Sequence, residues 1–259
     1  MRIIAICNQK GGVGKTTTAI NLAACLAASE RKTLLIDMDA QHNATTGLGL
    51  EKGSVEVSIY DVLSKRKYNG ATISIKDAIL KSKQIEYLDI VPSDVDLAGA
   101  EIELVNVIAR EKQLCNALED IKGLYDYVII DSPPSLGLIT INVLTATNSV
   151  LIPIQCEYYA LEGLAELLNT IRLVQKNLNK GLYIEGVLLT MYDTRLNLSK
   201  QVADDVRGCF PGKIFKTIIP RNVKLSESPS FGKPIIMYDI MSSGAESYLN
   251  FAKEIMENE

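Results

Sequence analysis

The sequence predicts an α/β fold, a doubly wound and mostly parallel sheet of about seven or eight strands with helices on both faces. Short runs rich in β-branched residues alternate with amphipathic stretches along the 259 residues. The apolar runs are nearly continuous, which is typical of strands that helices cover on both faces. Strand, helix and strand in alternation imply right-handed crossovers and therefore a mostly parallel sheet.

Seven strands and five helices are predicted from these patterns. The strands are residues 3–7, 33–37, 88–91, 127–131, 150–154, 186–191 and 214–218. The helices are residues 16–29, 97–121, 161–178, 198–210 and 245–256. The pattern is weakest at residues 47–85. Because no Pro/Gly/Ser-rich linker and no repeat divides the chain, residues 1–259 are expected to form a single domain.

Composition argues against several classes of protein. The chain is 47% hydrophobic and 22% charged, as in ordinary globular proteins. Its net charge of −4 argues against binding nucleic acid through overall charge, but leaves room for a local basic patch. The five cysteines form no C-x-x-C pair, so neither a disulfide framework nor a zinc or iron–sulfur site is expected. Since no leader and no apolar run of roughly 20 residues is evident, a cytoplasmic protein is expected.

A glycine-rich segment between the first strand and the first helix predicts a phosphate-binding loop. Its residues are Lys10, Gly11, Gly12, Val13, Gly14, Lys15, Thr16 and Thr17. The glycines allow a tight turn with amide hydrogens pointing inward, and the following helix adds the positive end of its dipole. Lys15 is expected to reach the β- and γ-phosphates of ATP, and the Thr16 hydroxyl to bind Mg²⁺. We therefore predict that these eight residues bind the nucleotide of an ATP-hydrolysing enzyme.

Three aspartates follow two of the predicted strands. Asp37 and Asp39 come at the end of the second strand, and Asp131 ends the strand at residues 127–131. Ligands of doubly wound folds bind at the carboxyl ends of the strands, so these side chains are expected beside the loop. Asp131 is predicted to hold Mg²⁺ through water.

The first lysine of the loop is unusual. The common pattern G-x-x-x-x-G-K-T would place a glycine at Gln9, whereas here Lys10 precedes Gly11 and Gly12. This K-G-G-x-G-K-T form resembles the deviant Walker A motif of the ParA/MinD superfamily of P-loop NTPases. The resemblance implies that Lys10 and Gly11 lie at the interface of an ATP-bound homodimer, where Lys10 touches the phosphates bound by the other subunit. Lys10 and Lys15 are accordingly assigned to catalysis.

The segment after the second strand, D-x-D-x-Q-x-N, resembles switch I of the same superfamily. By that resemblance Asp39 positions or activates the attacking water, and Asp37 supports the magnesium shell. Ala40 and His42 stand where the superfamily usually has proline and glycine. His42, the only histidine, is expected to be an exposed substitution without a catalytic role. Residues 132–136 are expected to form the second switch.

Longer stretches extend the resemblance over nearly the whole chain and favour the chromosomal ParA (Soj) type. They are VLLTMYDTRLNLSKQV, IPRNVKLSESPSFGKPI and MYDIMSSGAESYLNFAKEI. The resemblance implies that Pro220 and Asn222 contact the adenine. It also implies nonspecific DNA binding by the ATP-bound dimer, slow hydrolysis that a ParB-type centromere-binding protein accelerates, and a role in chromosome or plasmid partitioning at the nucleoid.

A basic stretch supports DNA binding independently of the resemblance. Residues 195–233 contain eight basic and three acidic side chains, a net +5 in a chain of net −4. Such a stretch suits sequence-independent phosphate contact. The resemblance assigns this contact to Arg195, Arg221 and Lys224.

Two alternative functions use the same loop. A MinD-type division-site ATPase would end in a basic amphipathic helix that binds membrane, whereas the C-terminal NFAKEIMENE is acidic, so no membrane partner is expected. A ParA-like ATPase that positions a protein cargo would differ only in its partner, and partner-binding surfaces have no sequence motif. A neighbouring ParB-like gene or a recovered centromere-binding protein would favour partitioning.

Overall fold

A seven-stranded sheet forms the centre of the computed structural model, which describes residues 1–51, 53, 55–68, 71–157 and 163–258. In chain order the strands are β1 Arg2–Ile6, β2 Thr33–Asp37, β3 Lys67–Tyr68, β4 Ala71–Thr72, β5 Leu80–Lys81, β6 Leu88–Val91, β7 Tyr127–Asp131, β8 Ser149–Gln155 and β9 Tyr183–Thr190. The helices are α1 Lys15–Ala28, α2 Asn43–Gly47, α3 Ile59–Leu63, α4 Leu97–Glu103, α5 Gln113–Leu118, α6 Leu138–Ala146, α7 Leu164–Asn177, α8 Asn197–Cys209, α9 Val223–Glu227, α10 Ile235–Tyr238 and α11 Ser243–Glu257.

The sheet has the strand order β5–β6–β2–β7–β1–β8–β9. Its strands are parallel except β5, which pairs antiparallel with β6. The carboxyl ends of β1, β7 and β2 are adjacent, since Asp131 pairs with Ile6 on one side and with Asp37 on the other. The predicted fold class is confirmed, and this edge carries the residues that the motifs single out.

Helices cover both faces of the sheet, as the continuous apolar strands predict. Alternate residues of β2 face opposite layers. Leu34 belongs to the core cluster that includes Val143 of α6 and Leu167 of α7, whereas Leu35 belongs to the cluster that includes Phe251 of α11. Each fully buried aliphatic side chain contributes about 1.5–3 kcal/mol, so both layers hold the carboxyl edge in place.

Residues 214–218 were predicted as a strand, and this prediction is wrong. One isolated bridge joins the segment to β9. The amides of Lys216 and Thr217 donate instead to the carboxylate of Glu254 in α11, at 2.7 and 3.0 Å. A side chain from the last helix therefore interrupts the pairing with β9, which resumes where the amide of Ile219 donates to the carbonyl of Leu189.

The continuous helix predicted at residues 97–121 is also wrong. The chain forms α4 and α5 with short 3₁₀ turns between them. Ala109 has φ = +52°, a left-handed conformation that interrupts a right-handed helix. The side-chain amide of Gln113 donates to the carbonyl oxygens of Ile108 and Ala109, at 3.2 and 3.0 Å, and so ties the start of α5 to the turn.

The other predicted elements agree with the structure to within a few residues at their ends. The strands predicted at residues 33–37, 88–91 and 127–131 coincide with β2, β6 and β7. The helix predicted at residues 161–178 begins at residues outside those described, and its remainder is α7. Helices α2, α3, α6, α9 and α10 and the short strands β3, β4 and β5 were not predicted. In the part of the chain that the structure describes, no helix has the length and apolar character needed to span a membrane.

Candidate functional site

The loop between β1 and α1 turns tightly at the carboxyl edge of the sheet. Gly12 and Gly14 have φ of +76° and +88°, the left-handed region that glycine adopts without strain. Gly11 and Gly12 are exposed, and a Cβ built on either would meet nothing within 4 Å. Gly14 caps the amino end of the 14-residue helix α1. Because unpaired amides and the positive end of the helix dipole meet there, the loop is arranged to bind an anion.

The side chain of Lys15, the first residue of α1, points back into the loop. It is only 7% exposed, and its Nζ donates a hydrogen bond to the carbonyl oxygen of Lys10 at 2.9 Å. Burial lowers the pKa of Lys15, whereas the negative charges of Asp131 and Asp39 oppose this shift. A buried ammonium group that is held by one carbonyl oxygen can exchange that oxygen for one of a phosphate.

Asp131, the last residue of β7, is fully buried beside the loop. Neither oxygen of its carboxylate has a hydrogen-bond partner among the residues described. Burial raises the pKa of Asp131 well above its usual range, and the charge of Asp37 raises it further. The nearby Thr16 hydroxyl and the charge of the Lys15 ammonium lower this pKa. Burying a carboxylate without a partner is costly, and a cation would satisfy it.

The few oxygen ligands at this edge suit Mg²⁺ that is bound together with a nucleotide. They do not form a metal site made of protein side chains alone. Within the described ranges, no group of three or more His, Cys, Asp or Glu side chains could hold a metal ion. Mg²⁺ is usually bound through one or two protein oxygens, with water and substrate phosphates completing its octahedron. The Thr16 hydroxyl and the Asp131 carboxylate supply such a pair beside the loop.

Asp37 ends β2 and is fully buried. Its carboxylate accepts hydrogen bonds from the amide and the hydroxyl of Thr45, at 2.8 and 2.7 Å, and from the amide of Asp39 at 3.1 Å. Burial raises the pKa of Asp37 to about 6, although these hydrogen bonds lower it. Asp37 therefore anchors α2 to the end of the strand, and its role toward a metal stays a prediction.

Asp39 is half-buried in the turn after β2, where one of its carboxylate oxygens accepts a hydrogen bond from the amide of Gln41 at 2.9 Å. Its charge acts on both Lys15 and Asp131. The structure thus brings Asp39 together with the loop lysine and the buried aspartate, as the motifs predict for a residue that handles water.

His42 is buried, and the expectation of an exposed side chain is wrong. It is 8% exposed, and its φ of +48° lies in the left-handed region. Its ring Nδ1 is 3.1 Å from the carbonyl oxygen of Ala40. The tight turn at the start of α2 therefore folds the ring against its own backbone.

The backbone of Lys10 is fixed on both sides. Its amide donates to the side chain of Asn8 at 3.0 Å, and its carbonyl accepts from Lys15. In the described structure its ammonium group makes no hydrogen bond or ion pair within the subunit. Gln9, in the position where the common motif has glycine, donates from its side chain to Glu166 of α7 and ties the loop to that helix.

A cavity of about 250 Å³ adjoins the loop on the side of β9. Pro220 and Asn222 line it, together with Gly14 and Thr17 of the loop. The structure therefore brings the two predicted base contacts next to the predicted phosphate contacts. The side chain of Asn222 also accepts a hydrogen bond from the amide of Lys224 at 2.8 Å, which caps α9.

Two residues of this cavity were missed by sequence reasoning. Thr190, the last residue of β9, donates from its hydroxyl to the carbonyl oxygen of Val13 at 2.8 Å. The hydroxyl of Tyr248 in α11 lies 3.1 Å from that of Thr18 in α1. These contacts join positions 177 and 230 residues apart, so no local motif marks them. They connect the loop and its helix to the walls of the cavity.

The three residues predicted to bind DNA each form an ion pair. The pairs are Arg195 with Asp193, Arg221 with Glu157, and Lys224 with Glu227. Arg195 and Arg221 line one cavity of about 480 Å³, so the structure brings these two together. Lys224 lies in α9 between Asn222 and Leu225, which both line the cavity of about 250 Å³, here called the base cavity.

Known proteins resemble this chain over its full length. Residues 1–184 match a protein family described as an AAA domain. The chain is 59% identical over 261 residues to the sporulation initiation inhibitor protein Soj of Bacillus subtilis (strain 168), covering 99% of both. It is 55% identical to the chromosome partitioning protein ParA of Myxococcus xanthus, covering 100% of this chain and 89% of that protein. The chain belongs to the Soj/ParA family.

The Soj/ParA chain is also similar to a solved structure from Mycobacterium smegmatis, described as cobyrinic acid a,c-diamide synthase with bound ATP analogue and magnesium. The two superpose with a TM-score of 0.85 at 35% identity, covering 100% of this chain and 95% of that one. The matches to Soj and ParA confirm the predicted family.

Proposed function

We propose that this chain is a single-domain ATPase that uses ATP, Mg²⁺ and a homodimeric state to partition chromosomes or plasmids. The observation that carries the proposal is the carboxylate of Asp131, which is fully buried without a hydrogen-bond partner among the described residues. It lies beside the Lys15 and Thr16 side chains at the loop. The names of the relatives support the partitioning role, and the Mycobacterium smegmatis protein binds an ATP analogue and magnesium on a similar fold.

Nucleotide binding is assigned to the loop and the adjoining cavity. The loop at residues 10–17 holds the phosphates, and Lys15 exchanges its hydrogen bond to the Lys10 carbonyl for one to a phosphate oxygen. Thr16 and Asp131 hold Mg²⁺, with Asp37 behind them. When bound, the metal neutralises charge that develops on the phosphates during transfer. Pro220 and Asn222 contact the base.

Hydrolysis is assigned to Asp39, which positions the attacking water. Asp39 is half-buried, and one of its oxygens already accepts a hydrogen bond from the amide of Gln41. His42 directs Nδ1 of its ring toward the carbonyl of Ala40, and no catalytic role is assigned to it. Hydrolysis by the protein alone is slow, since Asp39 is the one group assigned to the water, and a ParB-type centromere-binding protein accelerates it.

Dimerisation is assigned to Lys10 and Gly11. In the described structure the ammonium of Lys10 has no partner within its own subunit, while its backbone is fixed by Asn8 and Lys15. Gly11 is exposed beside it. A cation on a fixed backbone, without a partner of its own, is suited to phosphates that a second subunit binds.

DNA binding is assigned to Arg195, Arg221 and Lys224, which contact phosphates of nonspecific DNA. Their side chains are 84%, 57% and 48% exposed. A dimer doubles the number of such contacts, and affinity rises steeply with that number. ATP binding therefore loads the protein on DNA, and hydrolysis releases it.

The test measures binding to nonspecific duplex DNA without nucleotide, with Mg²⁺–ADP and with Mg²⁺–ATP. ATP turnover is followed in parallel, with and without DNA and a candidate ParB-type protein. We expect DNA binding in Mg²⁺–ATP and not in the other two nucleotide states. The rate of ATP turnover should rise when DNA and partner are both present. Lys15→Ala, which should lose the nucleotide, is the matched control. Equal DNA binding in all three nucleotide states, or none in any state, would contradict the proposal, and stimulation by a protein unrelated to centromeres would favour cargo positioning.

A further inference from the structure

The cations assigned to DNA are already neutralised by carboxylates of the same chain. Nε and Nη2 of Arg195 donate to Asp193 at 2.9 and 2.7 Å. Nη2 of Arg221 donates to Glu157 at 2.9 Å. The basic stretch counted in the sequence is therefore locally neutral at Arg195 and Arg221. The charge count missed this, because Asp193 and Glu157 lie outside residues 195–233.

Asp193 is the more firmly held of these two acids. Its side chain is 12% exposed, and its Oδ1 also accepts a hydrogen bond from the backbone amide of Arg195 at 3.0 Å. The carboxylate is thus fixed by the backbone even when the guanidinium moves away. The hydrogen bonds from Arg195 lower the pKa of Asp193 to about 2, and the charge of Arg221 contributes in the same direction. One carboxylate acts on both arginines.

The position of this cluster connects it to the nucleotide. Asp193, Arg195 and Arg221 line the cavity of about 480 Å³, and Arg221 also lines the base cavity together with Asn222. The amide of Arg221 donates to the carbonyl of Tyr192 at 3.0 Å, and this hydrogen bond joins the segments that carry Asp193 and Arg221. Arg221 therefore lines both the cavity that Asp193 lines and the cavity to which the base is assigned.

We propose that Asp193 is a built-in counter-ion that restrains DNA binding by pairing with Arg195 and by acting through its charge on Arg221. This inference rests on the proposed DNA binding. A DNA phosphate must compete with a carboxylate that does not diffuse away. An arginine that is already neutralised internally also releases fewer counter-ions from DNA when it binds, so it adds less to affinity and to the dependence on salt.

The opposite role for Asp193 makes the opposite prediction. An acid that served to orient Arg195 toward a phosphate would strengthen DNA binding, and its neutralisation would weaken it. Asp193→Asn separates the two roles, because the amide oxygen still accepts the hydrogen bond from the Arg195 backbone while the negative charge is lost. Glu157→Gln releases Arg221 in the same way from the other side and serves as a second, independent variant.

The experiment measures the affinity of the full chain for nonspecific duplex DNA in Mg²⁺–ATP over a series of salt concentrations. For Asp193→Asn we expect about three- to tenfold tighter binding, and a slope of log affinity against log salt that is steeper by about 1. Glu157→Gln should shift both in the same direction. The matched control is Glu119→Gln, which removes the same charge from an exposed pair with Lys122 and should leave binding unchanged.

The outcomes separate this inference from the function on which it rests. The wild type binding DNA with the same affinity as Asp193→Asn and Glu157→Gln, or more tightly, would overturn the counter-ion role. The proposed function would still stand. An equal gain in the Glu119→Gln control would also overturn it, because net charge would then be the cause. Failure of wild type and all variants to bind DNA in any nucleotide state would overturn the proposed function, and this inference with it.

Discussion

The ammonium group of Lys15 donates a hydrogen bond to the backbone carbonyl oxygen of Lys10, at 2.9 Å. The two lysines of the loop are thereby given different positions. Lys15 is buried and turned into the loop, while Lys10 contributes only its backbone to the loop and keeps its ammonium without a partner in the described subunit. Under the proposed function, Lys15 serves the nucleotide of its own subunit and Lys10 serves that of a neighbour.

The first prediction separates the two lysines by nucleotide affinity. Lys15→Ala should weaken binding of Mg²⁺–ATP about 10- to 100-fold, because a charge-assisted contact to the phosphates is lost. Lys10→Ala should stay within about threefold of wild type, since the carbonyl that orders the loop remains. Calorimetric titration with a slowly hydrolysed analogue measures both. Lys122→Ala, at an exposed ion pair, is the control, and equal losses for Lys10→Ala and Lys15→Ala would refute the division of roles.

The second prediction concerns the two buried aspartates. Without ligand, Asp131→Asn should raise the free energy of unfolding by about 1 kcal/mol, because an unpartnered carboxyl group is replaced by a neutral amide. Asp37→Asn should lower it by about 1–3 kcal/mol, since the three hydrogen bonds to that carboxylate are disturbed.

Urea denaturation with and without Mg²⁺–ATP checks both effects. The stabilisation that Mg²⁺–ATP gives the wild type should be largely lost in Asp131→Asn. If Asp131→Asn destabilised the free protein as much as Asp37→Asn does, the interpretation of Asp131 as an unsatisfied cation ligand would be incorrect.

The third prediction isolates the charge of Asp39. Asp39→Asn keeps an oxygen for the amide of Gln41 and removes the negative charge, whereas Asp39→Ala removes both. Both variants should bind ATP but hydrolyse it at least about 100-fold more slowly than the wild type, as expected for loss of a group that positions the attacking water. Single-turnover phosphate release is the measurement. Hydrolysis by Asp39→Asn at the wild-type rate would exclude this role.

The fourth prediction concerns Thr190, whose hydroxyl donates to the loop at the Val13 carbonyl. Thr190→Val keeps the shape and removes the hydrogen bond, so nucleotide affinity should fall about fivefold, and Thr190→Ser should restore it. Thr170→Val is the control, because its hydroxyl makes a comparable bond to a backbone carbonyl within α7. Identical affinities for the valine and serine variants at position 190 would show that the bond does not position the loop.

The fold was predictable from sequence where apolar runs are short and bounded by turns. Strands β2, β6 and β7 were predicted with correct ends for this reason. Residues 214–218 were also predicted as a strand. Two of their amides donate instead to Glu254, which lies in a helix 38 residues further along the chain. The break at Ala109 was equally hidden, since it depends on backbone conformation and on the capping side chain of Gln113.

The site was predictable where spacing within one segment determines the chemistry. The loop, Asp37, Asp39 and Asp131 follow strand ends, and parallel pairing brings those ends together. Thr190 could not be predicted, because its partner is 177 residues away. The burial of His42 depends on a left-handed turn that no residue type in that segment demands. Counting charges likewise overlooked Asp193, which lies two positions before the basic stretch.

The most direct test of the account is the molar mass of the protein by light scattering in Mg²⁺–ATP, on a background of Asp39→Ala to prevent hydrolysis. We predict the mass of two chains when Lys10 is present. Adding Lys10→Ala should give the mass of one chain, with one ATP bound per chain. Two chains in the absence of Lys10, or one chain in its presence at saturating ATP, would contradict the claim that this lysine joins two subunits around the nucleotide.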